Sequence, residues 1–204
     1  MNNAARYVLQ QSLTVVMVSA VAACAGDASL GPTSPQLTTA AVASHDEGGA
    51  VRVAAAERHR AVDLGTCTNL QAPAGTILIF HVYATGDQIY RWNGTSWVFV
   101  APSAVLSADA GGHSTVGTHY AGPTWESNSG SKVVGTVLDR CTTSTSAIPW
   151  LSLTVVSSNG PGIFDGVTFI QRVNTVGGIA PATAGTFVGE TVNVPYTAEY
   201  YFYR

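Results

Sequence analysis

From Cys67 to Arg204 the chain is written in short β-type runs cut by Gly, Pro, Asn and Asp, and no interval keeps its apolar residues at helical spacing. Residues 76–84 read TILIFHVYA. Residues 88–92 and 96–100 flank Asn93-Gly94, a strong two-residue hairpin signal. A strand opens at Trp125-Glu126, and 132–138 returns after Ser-Asn-Ser-Gly. Residues 150–157 and 166–174 flank the turn-rich NGPGIFD, and 186–192 and 196–203 close the chain. About eight or nine strands with no helix among them predict an all-β domain over 66–204. It is expected to be an antiparallel β-sandwich or a flattened β-barrel.

Side-chain parity divides these runs into faces. In TILIFHVYA, Leu78, Phe80 and Val82 share one face, and Ile77, Ile79, His81 and Tyr83 share the other. Both faces are apolar, so the strand is expected to be covered on both sides, with His81 semi-buried and satisfied. A two-residue loop at Asn93-Gly94 would set Tyr90 opposite Trp97, Trp92 opposite Thr95 and Gln88 opposite Phe99. Tyr90, Trp92, Trp97 and Phe99 then form one aromatic face. Flat rings of this kind either stack on sugars or bury in a core. Arg91 and Ser96 make the opposite face the wetter one, which favours the core. In the last strand Glu199, Tyr201 and Tyr203 oppose Tyr196, Ala198, Tyr200 and Phe202.

The amino-terminal residues carry an address. Arg6 precedes the 11-residue apolar run LTVVMVSAVAA, too short for the roughly 20 residues that span a bilayer. Val21-Ala22-Ala23-Cys24 resembles a lipobox, which predicts a lipoprotein signal peptide over 1–23 and lipidation at Cys24. Ala23-Cys24-Ala25 is the competing A-x-A site, which would release a soluble secreted chain. The lipid would anchor the protein on the outer face of a membrane, the outer membrane in a double-membraned bacterium. Residues 24–65 read as an Ala/Ser/Thr/Gly-rich tether with a short helix possible over 51–64, and His45 and His59 as solvated side chains within it. In an oxidising compartment Cys67 and Cys141 most simply pair, and a bridge closing about 75 residues stabilises by roughly 4 kcal/mol.

Composition excludes some functions. Net charge is -3, so no basic footprint for nucleic acid exists, and 46% hydrophobic residues exclude disorder throughout. There is no G-x-S-x-G, no H-E-x-x-H, no P-loop and no strand–G-x-G-x-x-G–helix, so no nucleotide or other cofactor is expected. His113 and His119 lack a third ligand, so no metal site is expected.

The densest stretch is HYAGPTWESNSGSKVVG, residues 119–135. Gly122-Pro123 and 127–130 are turn chemistry, Trp125 is expected in the core, and Glu126 outside. His119 and Glu126 remain as candidate ligand contacts or an acid/base pair. Arg172 shares a face with Thr168 and Ile170, where a charge needs a partner. Glu126 or Glu199 would supply it, unless Arg172 clamps an anionic ligand. Pro149 at a strand start allows a cis bond.

HYAGPTWESNSGSKVVG, AIPWLSL, TFIQRVNTVGGIAP and VPYTAEYYFYR, in this order, resemble the family called domain of unknown function 3455, secreted proteins of bacteria and fungi. The resemblance spans about Leu70 to Arg204 and implies no activity. The leading expectation is therefore a lipid-anchored binding module for a glycan or other polar polymer. Its candidate contacts are His119, Trp125, Glu126, Arg172 and Glu199, with Tyr90, Trp92 and Trp97 as a stacking platform. The alternatives are a hydrolase using His119 with Glu126 or Glu199, and a purely structural envelope component.

Overall fold

A computed structural model of the protein describes residues 62–204. The expected signal peptide over 1–23, Cys24, His45, His59 and the expected tether as far as residue 61 lie outside the described residues. Eight antiparallel strands follow one another around a closed barrel: β1 (Leu78–Trp92), β2 (Trp97–Ser107), β3 (Thr115–Tyr120), β4 (Thr124–Ser127), β5 (Lys132–Cys141), β6 (Trp150–Asn159), β7 (Phe169–Gly177) and β8 (Thr191–Tyr203). The only helical element described is the 3-10 turn Thr68–Leu70. Each strand pairs with its sequence neighbour, and β1 pairs with β8 to close the ring. The all-β expectation is met in its barrel form. Closure gives every strand a partner on each side, although residues 97–103 of β2 pair with β1 alone and β6 pairs with β7 only over Leu151–Thr154.

Parity decides what lies inside. Val82 and Ala84 of β1, Ala104 and Leu106 of β2, Trp125 of β4, Val133 of β5, Leu151 and Leu153 of β6 and Ile170 of β7 are buried together with Tyr196, Ala198, Tyr200 and Phe202 of β8. One end of the barrel is filled by rings. Phe80 stacks on Phe202 at 4.4 Å, and Phe164 of the β6–β7 loop packs on both. Its backbone N–H donates to Ser131 Oγ.

The outer face of β5 to β8 is covered by the segment before β1, which forms a strap. Leu64, Cys67 and Leu70 bury against Val173, with Trp150 and Tyr201 alongside. Residues 62–65, expected in the tether, therefore belong in part to the folded unit. Gln171 is buried between barrel and strap: its Nε2 donates to the Leu70 carbonyl at 2.7 Å, and Tyr203 OH donates to its Oε1 at 2.6 Å. Cys67 and Cys141 form a disulfide with Cα atoms 5.7 Å apart, joining the strap to the end of β5.

Three local expectations are corrected. Thr85-Gly86-Asp87 does not break a strand: β1 runs through it for 15 residues. Gly86 is where β2 comes closest, since a Cβ there would sit 2.1 Å from the Ser103 carbonyl oxygen. The β1–β2 loop has four residues, because the Asn93 side chain accepts from the Thr95 and Ser96 backbone N–H groups and Asn93 N–H bonds the Ser96 carbonyl. Trp92 thus faces Trp97, and Tyr90 faces Phe99. Residues 186–190 form a turn rather than a strand, with the Glu190 carboxylate accepting from both the backbone and the hydroxyl of Thr186. The described residues contain no cis peptide bond, so Pro149 is trans.

Candidate functional site: the open end of the barrel

The lumen is not filled to its other end. A cavity of about 170 Å³ lies there, and all eight strands line it. β1 gives Gln88, and β2 gives Phe99, Val100 and Pro102. His119 comes from β3 and Trp125 from β4, with Gly122 and Pro123 from the turn between them. Val137, then Leu151 and Leu153, come from β5 and β6. Arg172 and Tyr200 come from β7 and β8. An eight-stranded barrel has an interior that side chains can fill or that can hold one small ligand. The inward small residues show how room is kept. At Gly135 a Cβ would meet the Trp125 ring at 3.2 Å and Leu153 at 3.4 Å.

His119 lies flat on Trp125, centroids 4.4 Å apart and planes at 12°, and Tyr200 meets both rings edge-on. His119 Nδ1 is 2.8 Å from the Thr124 carbonyl oxygen. A carbonyl only accepts, so Nδ1 carries the proton and Nε2 is the acceptor of the neutral ring. Burial pushes the His119 pKa down to about 3; the Thr124 bond opposes this, and the Arg172 charge adds to it. At neutral pH His119 is an uncharged aromatic wall.

Arg172 is half-buried. Its Nε and Nη2 donate to the Pro149 carbonyl at 3.2 and 2.7 Å. The ion pairs of the described residues lie elsewhere: His81 with Glu199, His113 with Asp109, and Lys132 with Glu126. The carboxylate partner expected for Arg172 is thus replaced by a backbone oxygen. Burial raises the pKa values of Tyr90, Tyr196 and Tyr200, and the Arg172 charge opposes that rise.

Around this cation several buried polar atoms lack a hydrogen-bond partner: Gln88 Nε2, Trp125 Nε1, Tyr196 OH and Tyr200 OH. The two tyrosine hydroxyls, Gln88 and Arg172 are close enough to perturb one another, yet no bond of normal geometry joins them. Native proteins leave few such atoms unpaired, and each costs about 1–3 kcal/mol when it is.

The other candidate residues lie outside the lumen. Glu126 points outward, where Tyr120 OH donates to it and Lys132 pairs with it at 3.3 Å; these two partners hold its pKa below the usual carboxylate value. Glu199 is on the outer face of β8. His81 Nε2 approaches it to 2.9 Å without hydrogen-bond alignment, and Tyr201 and Asn174 donate to it at 2.9 and 3.0 Å. The His81 contact leads the causes that lower its pKa. His119 and Arg172 therefore meet at one cavity with Trp125, but neither meets Glu126 or Glu199. The acid/base pairs that a hydrolase at His119 would need are not assembled.

The aromatic hairpin face is not an open platform. Tyr90 is buried, with its OH donating to the Gly178 carbonyl at 2.6 Å. Trp97 Nε1 donates to the Thr183 carbonyl at 2.8 Å, and a Cβ at Gly185 would lie 2.5 Å from the Trp92 ring. The β7–β8 loop thus lies over this face, and Phe99 alone of the four lines the cavity. Among the described residues no three His, Cys, Asp or Glu side chains gather to hold a metal, and no helix is long and apolar enough to cross a membrane.

Gln88 and Tyr200 line the cavity without having been candidate residues. Parity placed Tyr200 on one face of the last strand, but nothing local said that this face looks onto a cavity.

A family model described as Protein of unknown function (DUF3455) matches residues 73–204, which includes every strand and every residue lining the cavity. No curated protein and no solved structure matches.

Proposed function

We propose a function from the site alone, because the chain belongs to the DUF3455 family and that membership brings no activity with it. The domain is a binding module that takes a small molecule into the open end of its barrel. One observation carries this reading: a cavity lined from all eight strands keeps buried polar atoms on Gln88, Trp125 and Tyr200 without partners. Mainly apolar walls with a few convergent polar groups are the usual make-up of a small-molecule site. A glycan or other polymer laid on the hairpin is less well supported, since the β7–β8 loop lies over Trp92 and Trp97.

Screening small organic compounds by NMR should find binders that move the Trp125 indole N–H and the Tyr200 signals. Binders that move only outer residues such as Tyr120 and Lys132, or polysaccharides that bind while the lumen stays silent, would favour the polymer reading. No binder of either kind would leave a structural envelope component.

Within this proposal the module is displayed outside the cytoplasm by a lipid on Cys24, a reading supported by Val21-Ala22-Ala23-Cys24 after the apolar run. Cells fed a clickable fatty acid should label the protein, and Cys24→Ala should abolish the label. An unlabelled wild type would instead fit cleavage at the A-x-A site and a soluble secreted protein.

A further inference from the structure

We propose that the ligand of the lumen is a small organic monoanion, a carboxylate on a flat or branched apolar body, anchored by Arg172. This rests on the lumen-binding reading above and goes beyond it by naming the ligand's chemistry.

The first argument is the cation. A guanidinium carries five N–H donors and no acceptor. Arg172 spends two bonds on the Pro149 carbonyl, from Nε and one Nη2 hydrogen, which fix the plane of the group from one side. Three N–H groups remain, and no carboxylate of the described residues forms an ion pair with it. A charge on a mainly apolar wall without a counter-charge favours an anionic guest. A planar fork held in this way suits a planar carboxylate.

The second argument is the character of the unpaired atoms. Trp125 Nε1 can only donate. Gln88 Nε2 donates, and the Tyr200 hydroxyl is able to. Together with Arg172 the lumen offers a surplus of donors. The complement of such a set is a group that only accepts, and an ionised carboxylate accepts about four bonds. A neutral sugar, with as many donors as acceptors, does not match it.

The third argument concerns size and charge number. The cavity, about 170 Å³, is slightly larger than the ~150 Å³ apolar cavity that takes benzene, so a guest of roughly six to ten non-hydrogen atoms fits. Phe99, Val100, Pro102 and Pro123 give the entrance apolar contacts for its body. Arg172 is the single cation of the lining, and His119 beside it is neutral, so a second negative charge would find no partner.

The test uses the full chain and isothermal titration with matched probes: benzoate, its neutral isosteres benzamide and benzyl alcohol, and the cation benzylamine. Benzoate is expected to bind about tenfold or more tightly than the neutral probes, and benzylamine not at all. Arg172→Gln should remove that preference while leaving the neutral probes' affinities within about twofold, and Arg172→Lys should keep part of it. Tyr200→Phe removes one hydroxyl and no ring, and should weaken benzoate alone by about threefold to tenfold. It decides the matter if Arg172→Gln does not fold. Equal binding of charged and neutral probes, unchanged by either substitution, overturns the anion proposal and leaves the lumen reading standing. If none of the probes binds and benzene does not shift the Trp125 indole signal, both readings fall.

Discussion

Acidifying the protein from pH 6.5 to pH 4.5 is expected to cost the barrel about 2 kcal/mol of stability through His119 alone. His119 is 2% exposed, and burial lowers its pKa to about 3. In the unfolded chain the same ring titrates near 6.5. Its folded pKa is the lower one, so the unfolded state binds the extra proton. The contribution is complete above 6.5 and is lost as pH falls from 6.5 towards 3, at about 1.4 kcal/mol per pH unit. The carboxylates with lowered pKa values, Glu126, Glu199 and Glu190 among them, act in the same direction but only below about 4.5. The interval from 6.5 to 4.5 therefore isolates the histidine from these groups. Denaturant unfolding across it should show a slope of about one proton. His119→Phe keeps a flat ring against Trp125 and loses the titrating nitrogen, so its slope should be smaller than the wild type's by about one proton whatever its starting stability. A wild-type slope near zero, or an unchanged slope in the variant, would mean that His119 is protonated in the folded barrel.

Replacing both Cys67 and Cys141 by Ser should destabilise the domain by about 4 kcal/mol, lowering its melting temperature on the order of 10 °C. The bridge spans 74 residues of sequence, so it removes much freedom from the unfolded chain. It also pins the strap, whose other holds are the packing of Leu64 and Leu70 and the Gln171 bond to the Leu70 carbonyl. No strap residue lines the cavity. The reduced or substituted protein should thus lose amide-exchange protection in residues 64–77 first and keep its lumen intact. Unchanged stability together with unchanged protection of the strap would show that packing alone holds it.

Much of the fold was legible because β-strand parity is local. The two faces of the last strand are those found in the barrel, and so are those of TILIFHVYA from Phe80 onward, with Val82, Tyr200 and Phe202 inside and His81 and Tyr201 outside; a bulge between Leu78 and Phe80 turns Ile79, expected on the outer face, against the interior beside Phe80. Trp125 in the core and Glu126 outside followed from the same rule. Turn chemistry was read less well. Asn93-Gly94 signals a two-residue loop, but the Asn93 side chain captures two further N–H groups and lengthens it, which moves the hairpin register. Strand β3, polar and interrupted by Gly117, has too little apolar alternation to stand out and is held by its neighbours.

The candidate site divides in the same manner. His119, Trp125 and Arg172 were legible as residues needing an explanation, since a buried histidine or arginine must find a partner. Their partners were not legible. Arg172 meets the Pro149 oxygen, 23 positions away in the chain, rather than a carboxylate. Gln88 and Tyr200 join it only through pairings across the sheet.

The sequence by itself determined that the domain is all-β, where most of its strands run, and which side of most of them is apolar. Backbone sterics and the two-residue period act over a few positions, so they can be read from a few positions. The tertiary structure alone decided that β1 closes on β8 and that Gln88, His119, Trp125, Arg172 and Tyr200 surround one cavity. Closure depends on the registers of all eight ladders at once. Small offsets in any of them would rotate these side chains to other levels of the barrel, and no local pattern records that sum.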